Sequence, residues 1–174
     1  YSSAASDVYK RQLLEECSQE FVPPLTQRLT SVDTELQKPR SGEQSEDGVK
    51  KYFDSLLSQE FLLAFSFQSK LVGFMSVRPH HVLPAESGVS DEVVYLTTVL
   101  VSPLMRRKGI MGKLYSRLYL YADKLGKPVA TRTWSANEAH LIYLNQNGFK
   151  PILKIEGDRG EGVSTLYFLK NING

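Results

Sequence analysis

Apolar and polar positions along the chain follow two periods, and the switches between them mark the elements. Leu13-Leu14-Glu15-Glu16-Cys17 reads as helix, predicted over 13–20 and stopped before Pro23-Pro24, since proline cannot donate to the helical ladder. Residues 25–45, with Thr, Ser, Gln, Pro39 and Gly42 and no clear period, read as a mostly open connection. Ser45-Glu46-Asp47 resembles a helix start, and Val49, Tyr52, Phe53, Leu56 and Leu57 follow at helical spacing. Phe61 to Phe67 reads as a strand, Gln68-Ser69-Lys70 as a turn, Leu71 to Arg78 as the returning strand and Pro79 to Asp91 as a loop.

The second half opens on a buried strand, Val93 to Val101, then a turn at Ser102-Pro103 and a cationic loop, Arg106-Arg107-Lys108-Gly109. That loop starts a helix over Gly109–Leu125, with Ile110, Leu114, Leu118 and Leu125 on one face and Gly126 as its C-terminal cap. Lys127 to Trp134 is the next strand, and a strand-helix-strand crossover of this length implies a parallel pair on a twisted sheet. A helix over Ser135–Gln146 ends at Asn147-Gly148, Phe149 to Ile155 returns as a strand, Glu156 to Gly162 is a polar turn, and Val163 to Leu169 closes the sheet as an antiparallel partner. The class is α/β (α+β), a single domain with a mixed, mostly antiparallel sheet and helices on both faces.

Composition narrows the functions. At 174 residues, with 41% hydrophobic and 23% charged residues, the chain suits one ordered domain. A net charge of +2 is too small to argue for nucleic acid or a membrane surface as partner. Cys17 stands alone, no Cys/His spacing reads as a metal site, and no apolar run is long enough to span a bilayer, so a reducing cytoplasm is the default. Ser2 to Gln12 matches a translated sequencing-library adapter, which makes 1–12 an expected non-native leader and 13–174 the domain. Without Asp7, Lys10 and Arg11 the cationic surplus all but vanishes.

The cationic loop carries the chemistry. The first amides of a helix lack intrahelical partners and sit at the positive end of its dipole, so the loop is a natural seat for phosphate. Val99-Leu100-Val101, Pro103 and Arg106-Arg107-Lys108-Gly109-Ile110 resemble the acetyl-CoA-binding core of the GCN5-related N-acetyltransferases, the GNAT superfamily, whose loop runs Arg/Gln-x-x-Gly-x-Gly/Ala. Here Met111 holds the second small-residue position and Gly112 follows it. The likeness extends from about Phe61 to the C-terminus. Members of the family begin with a strand ahead of their first helix, so the resemblance implies that the native start and this first strand are missing. It also implies a sheet splayed at its parallel pair, and a homodimer through sheet edges or surfaces is compatible with it.

The resemblance implies an acetyl-CoA-dependent N-acetyltransferase, acting on a primary amine of a small molecule or peptide by direct attack on the thioester. The alternative is a catalytically degenerate acyl-CoA-binding sensor or partner module. The pyrophosphate is expected on amides between Arg107 and Gly112, covering Lys108, Gly109, Ile110 and Met111, with Arg106 shaping or charging the loop. The pantetheine arm is expected along Val99, Leu100 and Val101, where a backbone amide near Val99 or Leu100 serves as oxyanion donor. Asn137 is an expected contact for the cofactor arm, and an N-terminal helix cap explains it equally well. Family members often place a leaving-group tyrosine four residues before a Gly-Phe pair, a position that Leu144 occupies here, with Tyr143 one residue earlier. One step along a helix turns a side chain by about 100°. Tyr143 is the candidate acid, while Glu92 and His81 are candidate bases acting through an ordered water. The acceptor walls are expected from Phe21 to Gln44, Pro79 to Asp91 and the Glu156 to Gly162 turn.

Overall fold

A computed structural model describes residues 4–17, 20, 47–65 and 68–172. The open connection expected at 25–45 and the acceptor wall expected at 21–44 lie outside the described residues. The elements are α1 (Ala4–Cys17), α2 (Asp47–Leu56), β1 (Glu60–Phe65), β2 (Leu71–His81), β3 (Val93–Val101), α3 (Ile110–Leu125), β4 (Val129–Trp134), α4 (Glu138–Gln146), β5 (Lys150–Ile155) and β6 (Thr165–Lys170).

Local chemistry explains where these bounds depart from the pattern. α1 starts at Ala4, because the stretch ahead of Leu13 is rich in good helix formers and carries ion pairs at Asp7–Lys10 and Arg11–Glu15, spaced three and four residues apart. β2 takes in Pro79 to His81, which the pattern leaves in a loop. Its pairing with β3 is irregular between Arg78 and His81, so the missing proline amide breaks no regular ladder there. In α3, Leu114, Tyr115, Leu118 and Ala122 form the buried face, whereas Leu125 is at the surface. Gly126 adopts the left-handed conformation and its amide caps the Ala122 and Asp123 carbonyls, as its position predicts.

Among the described residues the sheet has six strands in the order β1-β2-β3-β4-β6-β5. Every neighbouring pair is antiparallel except β3 with β4, the parallel pair that the crossover predicts. Alternation along each strand sorts the core into two sides. Val94, Leu96, Val129 and Phe168 pack under α3 and α4 with Leu114, Tyr115, Leu118 and Leu144. On the opposite face Phe74 and Leu100 meet α1 and α2, and beside them Val93, Tyr95, Ala130 and Tyr167 form a smaller cluster.

Two features of β3 make the site. Ser76 pairs with Thr98 and Val77 with Leu96, so Thr97 is an extra residue on β3, a bulge that bends the strand. Its hydroxyl lies 2.8 Å from Ser76 Oγ and 2.5 Å from Gln59 Oε1, which anchors the bulge. At the same level the parallel pairing stops: Val94, Tyr95 and Leu96 pair with Val129, Ala130 and Thr131, and beyond them the strands part. Thr131 Oγ1 donates to the Leu96 carbonyl at 3.1 Å and closes the last rung.

Candidate active site

The parted ends of β3 and β4 enclose a cavity of about 860 Å³, a size typical of ligand and cofactor sites. Leu96 to Val101 line one wall, Thr131 to Trp134 the other, and the loop after β3 with the starts of α3 and α4 closes the end. Successive β4 side chains point to opposite faces, yet Thr131, Arg132, Thr133 and Trp134 all line the cavity, so the opening passes through the sheet.

The loop is shaped to present its backbone. Arg107 and Gly109 both sit at positive φ, 61° and 74°, and alternation of this kind turns successive amides into an anion-binding concavity. Gly109 caps α3, and the amides of the first helical turn have no partner in the helix. Met111, at the position where the resemblance expects a small residue, packs against the core below α3. Gly112 lines the cavity, and a Cβ built on it meets nothing within 4 Å, so this point is open to close approach.

Arg106 is engaged in holding the loop. Its guanidinium pairs with Glu20 at 2.6 and 2.8 Å, and its Nε donates to the Val101 carbonyl at 3.2 Å, one of the groups left without a strand partner where β4 turns away. Its ionised form is favoured by the Glu20 hydrogen bonds. Lys108 does not line the cavity, and its Nζ lies 3.8 Å from Met105 Sδ.

α4 supplies the far wall. Asn137 caps the helix, its side chain accepting from the His140 amide and donating to Thr133 Oγ1, while the residue also lines the cavity, so cap and wall coincide. Leu144 is fully buried in the core, whereas Tyr143 lines the cavity. Its ring packs 4.4 Å from that of Tyr115, and its hydroxyl lies 3.4 Å from Tyr119 Oη. Burial raises the Tyr143 phenol above its ordinary range, so it is a protonated donor at neutral pH.

Glu92 and His81 stand elsewhere. Glu92 precedes β3, at the end away from the parted edge, and its Oε2 is 2.6 Å from Lys127 Nζ and 3.1 Å from His80 Nδ1. The Lys127 hydrogen bond leads the effects that lower its pKa, which makes it a weaker base. His81 stacks on Tyr95 with ring centroids 4.4 Å apart, and burial, then Arg78 and Arg132, push its pKa down to about 4. Neither residue lines the cavity.

The cavity residues that the sequence reading did not single out include Arg132, Thr133, Trp134 and His140. An arginine inside the otherwise buried strand Val129–Trp134 is the signal that could have found the first, since such a side chain is rarely tolerated in a core. His140 Nε2 lies 2.7 Å from Tyr115 Oη, and burial pushes its pKa down to about 4. It therefore stays neutral in the fold at pH values where the unfolded chain, with a pKa near 6.5, takes up a proton. Stability should fall as pH drops from 6.5 towards 4, and His140→Gln should flatten that slope in thermal melts. His81 titrates in the same sense and accounts for part of what remains.

Among curated proteins none matches the sequence. Solved structures share the fold at low identity. A GNAT-family protein from Desulfovibrio desulfuricans is 12% identical with a TM-score of 0.68, covering 99% of this chain and 96% of its own. An aminoglycoside 6'-N-acetyltransferase complexed with coenzyme A is 12% identical with a TM-score of 0.66, covering 99% and 94%. A Salmonella typhimurium protein with its cofactor acetyl-CoA is 15% identical with a TM-score of 0.60, covering 100% and 92%. The family model described as the acetyltransferase (GNAT) family matches residues 29–149, which takes in both parting strands and the loop between them, and the chain belongs to that family.

Proposed function

We propose that the chain is an acetyl-CoA-dependent N-acetyltransferase that moves an acetyl group onto a primary amine of a small molecule or peptide. The observation that carries this is continuity: one cavity runs from the N-terminus of α3, along the unpartnered edge of β3, to Tyr143. The family supports the reaction, and neighbours with coenzyme A or acetyl-CoA bound support the cofactor.

The residues fit that cofactor. The backbone between Arg107 and Gly112 would hold the pyrophosphate, Gly112 leaving room for close approach. The open edge of Val99 to Val101 would pair with the amides of the pantetheine arm, and Asn137 would border it. When bound, acetyl-CoA supplies the thioester that the amine attacks. The transfer forms a nitrogen–carbon bond and breaks the carbon–sulfur bond, while the amine gives up a proton and the sulfur takes one.

A backbone amide of β3 at or beyond the bulge, near Val99 or Leu100, would face the carbonyl oxygen as a fixed dipole. Tyr143 would deliver the proton to sulfur. With Glu92 and His81 away from the cavity, the amine reacts as its neutral fraction held in line, and positioning supplies much of the acceleration. Among the described residues no helix is long and apolar enough to cross a membrane, and a reducing cytoplasm fits the free, buried Cys17.

Calorimetric titration with acetyl-CoA, followed by mass spectrometry of an amine panel, tests the reading. Binding with acetylated product supports it, whereas binding with no transfer to any amine would favour the acyl-CoA-binding module.

A further inference from the structure

His140 is held in the cavity wall by a contact that decides which of its two ring nitrogens carries hydrogen. It stands about one helical turn after Asn137 and one turn before Tyr143 on α4, and all three residues line the cavity. Tyr115, from α3, braces this row from behind. It is fully buried, its ring packs 4.4 Å from that of Tyr143, and its Oη lies 2.7 Å from His140 Nε2. Tyr115 itself does not line the cavity.

A buried phenol must give its hydrogen to an acceptor, because an unpaired donor out of reach of water is costly. Among the described residues Tyr115 Oη has His140 Nε2 as its hydrogen-bond partner and no other. Tyr115 therefore donates, since accepting from a hydrogen on Nε2 would leave its own unpaired. Burial raises the Tyr115 pKa well above its ordinary value and pushes that of His140 down to about 4, so at neutral pH the phenol keeps its hydrogen and the imidazole is uncharged. A neutral imidazole has one N–H, and with Nε2 accepting, that hydrogen sits on Nδ1. Nδ1 has no hydrogen-bond partner among the described residues, yet it is not sealed in the core, where Asp158 Oδ1 is the side-chain polar atom left unpaired. A directed donor is thus left for whatever fills the cavity.

A neutral donor suits a neutral acceptor. Phosphates draw cations and the amides of a helix start, whereas a carbonyl oxygen is served by one directed N–H. The pantetheine arm of coenzyme A offers two amide carbonyls. Building on the acetyltransferase function proposed above, we propose that His140, fixed by Tyr115 with its hydrogen on Nδ1, donates to an amide carbonyl of the pantetheine arm. The contact sets how far the thioester reaches along the cavity towards Tyr143.

Nitrogen-15 NMR of the wild type, labelled at histidine, is the test. At neutral pH the free protein should show His140 protonated at Nδ1 and bare at Nε2, and Tyr115→Phe should release the ring to a mixture of both forms. Coenzyme A at saturation should shift the Nδ1 hydrogen, whereas 3'-phospho-ADP, its nucleotide half with the phosphates and no arm, should not. In calorimetry His140→Ala should bind coenzyme A about 5- to 10-fold more weakly and 3'-phospho-ADP equally well, as expected for the loss of one neutral hydrogen bond. His140→Asn, whose amide N–H falls near the place of Nδ1, should recover part of that loss. The wild-type spectra decide even where His140→Ala fails to fold. Hydrogen on Nε2 in the free protein, an Nδ1 signal indifferent to coenzyme A or equally moved by 3'-phospho-ADP, or full affinity in His140→Ala would overturn the inference and leave the acetyltransferase reading standing. Absence of coenzyme A binding by folded wild type would overturn both.

Discussion

Tyr143→Phe is expected to lower kcat by about two orders of magnitude while leaving acetyl-CoA affinity unchanged. The substitution removes one oxygen and keeps the ring, so the packing against Tyr115 at 4.4 Å survives and the cavity wall holds its shape. What disappears is the donor proposed to meet the departing sulfur. The Tyr119 hydroxyl, 3.4 Å from that of Tyr143, belongs to a residue that does not line the cavity and does not replace it. Because burial raises the Tyr143 pKa from its ordinary value, the acid should stay protonated past the pH at which an ordinary phenol ionises, and any alkaline loss of kcat from this group should come later than for an exposed tyrosine. An unchanged kcat in Tyr143→Phe would hand the proton transfer to water or another group.

The second large effect falls on stability. Gly73→Val should destabilise the fold by about 3 kcal/mol, because an overpacked site must move its neighbours. A Cβ at Gly73 would lie 2.9 Å from the Leu100 carbonyl oxygen, and this neighbour is backbone of the partner strand and cannot rotate away. Ile110 Cγ2 at 3.4 Å and Val101 Cγ2 at 3.5 Å close the remaining space. β2 and β3 would have to separate where Gly73 pairs with Val101, directly beneath the loop that opens α3. Thermal melts should show a drop of roughly 6–12 °C for a domain of this size. Acetyl-CoA affinity should fall as well, since the displaced segment carries both the strand edge and the helix start. A melt unchanged by Gly73→Val would mean that the strands do not approach so closely.

The parts of this architecture that sequence reveals are those where one physical signal dominates. A run of apolar residues interrupted only by Thr97 and Thr98 made Val93–Val101 a buried strand, glycine marked the ends of α3, and the length of the crossover made β3 and β4 parallel. Residues answering to two demands are harder to read. Leu144 and Tyr143 differ by one helical step, and motif spacing alone points to Leu144; only the packing of α4 shows that Leu144 goes to the core and Tyr143 to the cavity. Asn137 is at once a cap and a cavity residue, so neither role could be excluded in advance.

Positions defined by long-range contact left no local trace. His81 in the loop before β3 and Glu92 just ahead of that strand are candidates by sequence position, yet the ladder carries both to the N-terminal end of β3, into contacts with Tyr95 and Lys127. Arg132 offers one local signal, a charge inside a largely buried strand, and its place in the cavity depends on the gap beside it. The bulge at Thr97 is written in the register of two strands and in the reach of Gln59, 38 residues earlier, so local periodicity could not report it.

Acetyl-CoA titrated calorimetrically into the wild type and into an Arg107→Glu, Gly109→Asp double variant is the most direct test of the cleft as the seat of the cofactor. The double variant brings two carboxylates to a helix N-terminus that is proposed to hold a pyrophosphate, and places a side chain where φ is 74°. Saturable binding by the wild type, weakened at least about 100-fold in a variant that still melts cooperatively, is the predicted result. Equal binding by both proteins would move the phosphates off this loop, and no binding by a well-folded wild type would contradict the acetyltransferase function itself.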